Sequence, residues 1–265
     1  MMKKVLILLV SVVIAIWFLS PVVLIVISSL TPSGEYYNPS RILPRSLTLD
    51  HLRSLFVTLG GWRATLNSVQ VAGMSIGISF LFGLPAAYAL TRFVFRGKNA
   101  IRLGILLTRS FPVLIIGIPL LILYMRVNLS DTLLGVALAH TSMVLPFVVL
   151  ISSSIIGGVS VEYEEAGMIF GLSRFASFMR ITMPLVLPGL AASAIFAFIM
   201  SWNEVFVAAI LTVGNRTLPA HILNAAMNAP DYFKFAAGTI MAVPAMIFIF
   251  FTRKYLMSLW GISLK

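Results

Sequence analysis

Residues 162–188 read EYEEAGMIFGLSRFASFMRITMPLVLP. Acidic residues open the stretch, Gly171 sits near its middle, Arg174 and Arg180 follow, and Pro184 and Pro188 close it. The chain on either side is almost continuously apolar. Carboxylates at Glu164 and Glu165 suit the first turn of a short helix, where the positive end of the dipole favours them by ~0.3–1 kcal/mol. Gly171 permits a sharp turn, Ser173 suits the N-cap of a second helix, and Pro184 suits the first turn of a further one. The stretch therefore reads as helix, turn, helix over roughly 160–180, with a long apolar helix beginning at Pro184. Its apolar residues Ile169, Phe170, Phe175, Phe178 and Met179 are too many for a solvated loop. Apolar surface rimmed by charge marks a contact site. From these residues alone the contact is either lipid, with the segment lying flat on the bilayer, or a protein partner.

Composition sets the class around this patch. Of 265 residues, 60% are hydrophobic and 10% charged, against about 25% charged in a soluble domain. The net charge of +11 comes from bases scattered among hydrophobic runs, which suits a membrane protein beside anionic lipid better than a nucleic-acid binder. The absence of cysteine removes disulfides and thiolate metal sites.

A membrane-crossing helix needs about 20 mostly apolar residues, because the hydrocarbon core is ~30 Å thick. Six runs meet this, at approximately 5–30, 64–91, 103–125, 132–157, 184–213 and 235–252. Backbone groups in lipid must be satisfied within the segment, so these runs are helices and the chain is one all-α membrane domain, 1–265. With the N-terminus inside, the inner segments carry Lys3, Lys4, Arg92, Arg96, Lys98, Arg102, Arg174, Arg180, Arg253, Lys254 and Lys265. The outer ones carry Arg41, Arg45, Arg53, Arg63, Arg126, Arg216 and Lys234. The bias favours cytoplasmic N- and C-termini and places 162–183 in the cytoplasm. The first run is longer than an ordinary signal-peptide core and ends without a clear small-residue cleavage site, so it is expected to be retained. Two polar stretches, 31–63 and 214–234, read as external loops, with short helices around Leu49–Phe56 and Thr217–Ala226.

Reactive groups are scarce. There are eight acidic residues and three histidines, and no H-E-x-x-H, G-x-x-x-x-G-K-[ST] or G-x-S-x-G pattern. No cofactor or metal is expected on this chain. Work against a gradient would need an ion or another subunit. The polar groups within spans are functional candidates because each is costly there, by ~2.5–3.5 kcal/mol for a charge. Arg109 is expected to face the translocation path, to snorkel to the interface, or to pair with a carboxylate on a neighbouring subunit, and Pro112 just after it is expected to kink that helix. Trp202, Asn203 and Glu204 suit sugar recognition in a path or gate, by stacking and by hydrogen bonds to hydroxyls; the alternative is interhelical glue. His140 reads as a packed residue bonded to a neighbour. An ion-driven transporter using Glu204 and Arg109 as a relay is a competing reading, and a membrane-embedded enzyme a weaker one, since no catalytic set is evident.

The spacing in the opening stretch then narrows the choice. Glu165-Ala166-Gly167, three residues, Gly171, nine residues, Ile181, one residue and Met183-Pro184 resembles the EAA signature of binding-protein-dependent ABC permeases. Gly167 stands for the second alanine, Met183 for the leucine, and Phe170 for a frequent aspartate. TLNSVQVA at 65–72, PAAYALTRFVFRGK at 85–98 and AIFAFIMSWNEVFVA at 194–208 resemble the maltose/carbohydrate-type subfamily, second permease subunit. A departure is the tail, WGISLK, where that subfamily carries a glycine-rich ending. The resemblance implies a type I ABC importer permease fold with six transmembrane helices in a bacterial or archaeal cytoplasmic membrane. It also implies a non-catalytic subunit that moves a carbohydrate, polyol or glycoside. Partners would be a homologous permease, two ATP-binding subunits that hold ATP and Mg, and an external solute-binding protein. The stretch would be the coupling helix, with Glu164, Glu165, Ala166, Gly167, Phe170, Gly171, Arg174, Phe175, Ile181 and Pro184 coupling to the ATPase.

Overall fold

The structure is a computed structural model and describes residues 2–37, 43–110, 112–227 and 229–259. Arg41, Lys265 and the WGISLK tail lie outside them. Among the described residues every regular element is a helix. In chain order α1 covers Met2–Leu30, α2 Ser33–Tyr36 and α3 Asp50–Arg53, the last continued by a π turn over Ser54–Thr58. α4 covers Gly61–Arg92. α5, Lys98–Leu107, leads through a 3-10 turn at Thr108–Ser110 to α6, Val113–Arg126. α7 is Leu133–Gly157, α8 Glu162–Ile169 and α9 Arg174–Ser177; a π turn over Phe178–Thr182 joins α9 to α10, Met183–Trp202. α11 covers Phe206–Leu211, α12 Leu218–Ala226 and α13 Asp231–Leu259.

Four helices are long and apolar enough to cross a membrane: Lys3–Leu30, Gly61–Arg92, Leu133–Gly157 and Arg174–Trp202. The sixth expected run, 235–252, lies within α13. The two short helices expected outside the spans are present as α3 with its π turn and as α12.

Two of the expected spans are interrupted. The run 103–125 is a pair of helices, Lys98–Ser110 and Ile115–Arg126, bent by 93°. Pro112 sits in extended conformation, φ −63° and ψ 121°, just before α6; it has no N–H to continue a helix and its ring clashes with the preceding turn. The run 184–213 neither starts nor ends where the apolar pattern suggests. Its helix begins ten residues earlier at Arg174 and is continuous to Trp202. The π turn makes this possible: Met183 N–H donates to the Phe178 carbonyl, a wider ring that carries the chain past Pro184 without a break. The helix then stops at Asn203 and resumes at Phe206 as α11.

The chain forms two compact units. One comprises Met1–Arg63 and His221–Pro244. In it, α1 is apolar on every side and exposes its side chains from Val5 to Leu24, as expected of a helix surrounded by other apolar groups or lipid. Its C-terminal end is better anchored. The Thr31 carbonyl, just past the last turn, has His51 Nε2 at 3.0 Å, and the His51 ring lies against Tyr232, tilted by 31°, at 4.4 Å between centroids. Such partners satisfy carbonyls that a helix end leaves free.

The other unit comprises Ala64–Ala220 and Ala245–Lys265. α7 packs along α10 and α11 along α6. Its core gathers Val71 from α4, Tyr124 from α6, Val136 and Ala137 from α7, and Val207, Ala208 and Leu211 from α11. A second cluster, Ala87, Ile156, Val186 and Leu190, joins α4, α7 and α10 nearer the EAA-like stretch.

Candidate functional site

The EAA-like stretch folds as its residues suggest. α8 carries Glu162, Glu164 and Glu165 in its first turn. Gly171 takes φ +91°, a left-handed conformation that costs an L-residue roughly 1–2 kcal/mol. Ser173 then caps α9, its hydroxyl accepting from Ala176 N–H at 3.2 Å. Gly167 is needed for a different reason. A Cβ there would collide with Ile181 and lie 3.0 Å from Ser177 Oγ. The substitution of glycine for the family alanine thus goes with close packing of α8 against the π turn.

Glu164, expected on the contact surface, is instead inside, 2% exposed. Its Oε1 accepts from Arg92 Nε at 2.9 Å and Thr182 Oγ1 at 2.7 Å, and its Oε2 from Tyr88 Oη at 2.7 Å. Arg92 also donates to the Val159 carbonyl at 3.0 Å. Burial would raise the Glu164 carboxyl; the hydrogen bonds from Thr182, Tyr88 and Arg92 and the Arg92 charge outweigh it and hold it below the usual glutamate range. One carboxylate therefore ties α8 to the end of α4 and to the π turn before α10. Arg174 adds a second tie, its guanidinium 5.3 Å from the Phe93 ring centroid, a cation–π distance. Tyr88 and Arg92 lie in the PAAYALTRFVFRGK segment, yet nothing local in that segment marks them as partners of Glu164.

What remains outward is a compact apolar surface. Ile169 is 84% exposed, Phe170 88% and Phe175 74%, with Glu165, Ala166, Gly171 and Arg174 also exposed. Ile181 is half-buried against Gly167, and Pro184 is exposed on α10.

The second group of candidates is not brought together as a wall. Arg109 lies in the 3-10 turn of the broken third run, exposed, with its guanidinium 3.3 Å over the Phe147 ring. A cleft of about 160 Å³ there is lined by Thr108, Arg109, Ile116, Ser142, Met143 and Phe147, with Met200 of α10. Trp202 is packed inside, 1% exposed, and stacks on Phe198 at 5.6 Å. Asn203 is exposed and bonds back to the Ile199 carbonyl at 3.0 Å. Glu204 is buried, and its two oxygens accept from Val207 N–H at 2.9 Å and Ala208 N–H at 3.0 Å. It caps α11. His140 is packed and bonded to a neighbour, as expected: its Nδ1 is 2.8 Å from Ser201 Oγ, while its Nε2 lies 3.3 Å from Glu204 Oε2 without hydrogen-bond geometry. Glu204 is thus engaged with the first turn of α11 and Arg109 with the Phe147 ring.

A residue that the sequence does not single out is Asp131. It takes φ +54°, and its Oδ1 accepts from the backbone N–H groups of Val213, Gly214 and Asn215, each at 2.9 Å. Asp131 N–H returns to the Leu211 carbonyl at 2.9 Å. The short loop before α7 is thereby pinned to the end of α11. Burial pushes the Asp131 carboxyl up; the three amides and the Arg216 charge outweigh this and hold it below the usual aspartate range. The depressed value contributes stability above the ordinary aspartate pKa, and that stability is lost as pH falls through the folded value. Asp131→Asn is expected to lower stability at neutral pH by about 1–3 kcal/mol and to remove this part of the acid sensitivity. Thermal unfolding of the purified protein between neutral and acid pH checks it; parallel curves for both proteins would refute it.

Among the described residues no cluster of three or more His, Asp or Glu side chains could hold a metal ion. The chain is thus a multi-span helical membrane protein that presents an ordered, outward-facing apolar helix–turn–helix between two spans. Residues 79–258 match the model of the family described as binding-protein-dependent transport system inner membrane component, and the chain belongs to that family. It is 25% identical over 261 residues to the diacetylchitobiose uptake system permease protein DasC of Streptomyces coelicolor, covering 96% of this chain and 95% of DasC. It is 30% identical over 248 residues to the arabinooligosaccharides transport system permease protein AraQ of Halalkalibacterium halodurans, covering 90% and 88%. In fold it is similar to a chain in the crystal structure of a bacterial ABC transporter involved in the import of the acidic polysaccharide alginate, with TM-score 0.74, 19% identity and 96% of each chain covered.

Proposed function

We propose that this chain is a permease subunit of an ABC importer that carries a carbohydrate, polyol or glycoside across the cytoplasmic membrane of a bacterium or archaeon. Six spans with both termini cytoplasmic complete the reading, with α5 and α6 forming one broken span and α13 the last. The chain binds no cofactor and catalyses nothing itself; ATP and Mg belong to two partner subunits. A homologous permease and an external solute-binding protein complete the assembly. The observation that carries this is the α8–α9 foot: its backbone is fixed from inside by Glu164, while Ile169, Phe170 and Phe175 stand free for a partner. Family membership and the permease relatives support the importer, and two saccharide uptake systems among those relatives support the substrate class. Arg109, beside its cleft, and exposed Asn203 are the candidates for the path; Trp202 and Glu204 support it from behind.

Gly171 offers the direct test. Gly171→Val forces a side chain into the left-handed region at a cost of roughly 1–2 kcal/mol, relieved by reshaping the foot. The variant is expected to insert and assemble, but to lose about tenfold of the ATPase stimulation produced by loaded binding protein in liposomes. Stimulation equal to wild type would overturn the assignment of this turn to coupling.

A further inference from the structure

The broken fifth span contains a joint that the reading above does not use. α10 is continuous with the foot through the π turn, so a displacement of the foot reaches Trp202 along one helix. At Asn203–Val205 that continuity ends. Beyond the gap, α11 leads to the Val213–Asn215 loop held by Asp131. Across the break the backbone keeps only a long hydrogen bond, Glu204 N–H to the Ser201 carbonyl at 3.4 Å, so side-chain contacts set how stiffly the two helix ends move together.

A single imidazole spans the gap. His140 of α7 has Nδ1 2.8 Å from Ser201 Oγ, in the last turn of α10, and Nε2 3.3 Å from Glu204 Oε2, the cap of α11. His140 and Glu204 are both buried, at 1% and 8% exposure. On one side the Ser201 hydroxyl is hydrogen-bonded to Nδ1; on the other, Nε2 lies against the Glu204 carboxylate at 3.3 Å without hydrogen-bond geometry, a close polar contact in a buried place. The same Glu204 oxygens bond the Val207 and Ala208 amides, so the ring holds the first turn of α11 through the carboxylate rather than through a mobile side chain.

We infer that His140, Ser201 and Glu204 form a clamp that makes α10 and α11 move as one body, so that displacement of the coupling foot is delivered across the break to the Val213–Asn215 loop. All three are positioning residues. The inference rests on the importer reading for the source of the motion, but not for the clamp itself. An alternative is that the cluster merely stabilises the fold, and the two differ in where disorder appears when the ring is removed.

The test uses the whole complex in nanodiscs and two spin-label pairs at exposed positions. Leu187 with Phe206 spans the break, and Leu187 with Ile101 reports movement of α10 against α5. Distances are measured without nucleotide and after trapping with MgATP and vanadate. In the wild type the Leu187–Phe206 distance stays narrow and unchanged between states. In His140→Leu its distribution roughly doubles in width, because a freed joint samples more than one arrangement, while Leu187–Ile101 keeps the wild-type width. His140→Gln, which can still bridge a hydroxyl and a carboxylate, restores the narrow distribution. Ser201→Ala, a milder change that leaves the carboxylate contact, broadens the same pair to a smaller degree and serves if His140→Leu fails to assemble. A Leu187–Phe206 distribution as narrow in the variants as in wild type overturns the clamp, and so does equal broadening of both pairs. A wild-type complex that does not hydrolyse ATP in response to loaded binding protein would instead overturn the importer reading, while the pair across the break still decides for or against the clamp.

Discussion

Glu164→Ala is expected to destroy the foot while leaving the spans in the membrane. The carboxylate is 2.9 Å from Arg92 Nε and accepts from Thr182 and Tyr88 as well, and both ion-pair side chains are under one-tenth exposed. Removing one member of such a pair leaves the other charge buried and uncompensated, at a cost of about 3–5 kcal/mol. Local repair is cheaper than global unfolding: α8 can detach and let Arg92 reach water. The measurement is paired. Protease accessibility of 160–180 should rise sharply, while membrane insertion stays normal. The double change Glu164→Leu with Arg92→Leu should recover most of the protection, because replacing both charges by apolar groups is often nearly neutral. If Glu164→Ala leaves the segment as protected as in wild type, the buried tie does not hold the foot.

Phe170→Asp and Phe175→Asp are expected to have the second largest effect, and a different one. Both rings project from the foot with little contact to the rest of the chain, at 88% and 74% exposure. Folding should hardly notice them. Aromatic anchors at the centre of an interface contribute about 2 kcal/mol or more each, so each variant should weaken retention of the ATP-binding subunits by at least about thirtyfold. Co-purification at graded concentrations reads this. Retention equal to wild type in both variants would mean that the exposed rings meet lipid or water rather than a subunit.

The contrast between Glu164 and Glu165 shows what the sequence can and cannot convey. They are adjacent and chemically identical, and the first-turn preference for acids applies to both. One is buried because Tyr88 and Arg92 arrive from 76 and 72 residues away; the other faces outward. No local pattern separates them. By contrast, the turn at Gly171 and the cap at Ser173 are local effects, and both are legible. The start of the fifth span departs from the apolar pattern because Pro184 is a good helix opener in isolation, whereas here the π turn absorbs it inside a longer helix. The interruption at Asn203 is hidden by unbroken hydropathy, which measures transfer to lipid and not backbone continuity, whereas the break in the third run is marked by Pro112 itself. Asp131 escapes notice because a lone acid in a polar loop is ordinary until its three amide donors are seen.

The π turn at Phe178–Thr182 also fixes a direction. It is geometrically a single residue accommodated within an α-helix, and each residue of such a helix turns the chain by roughly 100° about its axis. The azimuth at which Phe175 points, relative to the side of α10 that meets α7, is therefore set by one extra residue in that turn. A one-residue deletion in that interval would swing the aromatic face by about a quarter turn while conserving Ile169, Phe170 and Phe175. Insertions and deletions there, not only substitutions, decide which way the protein's foot can face.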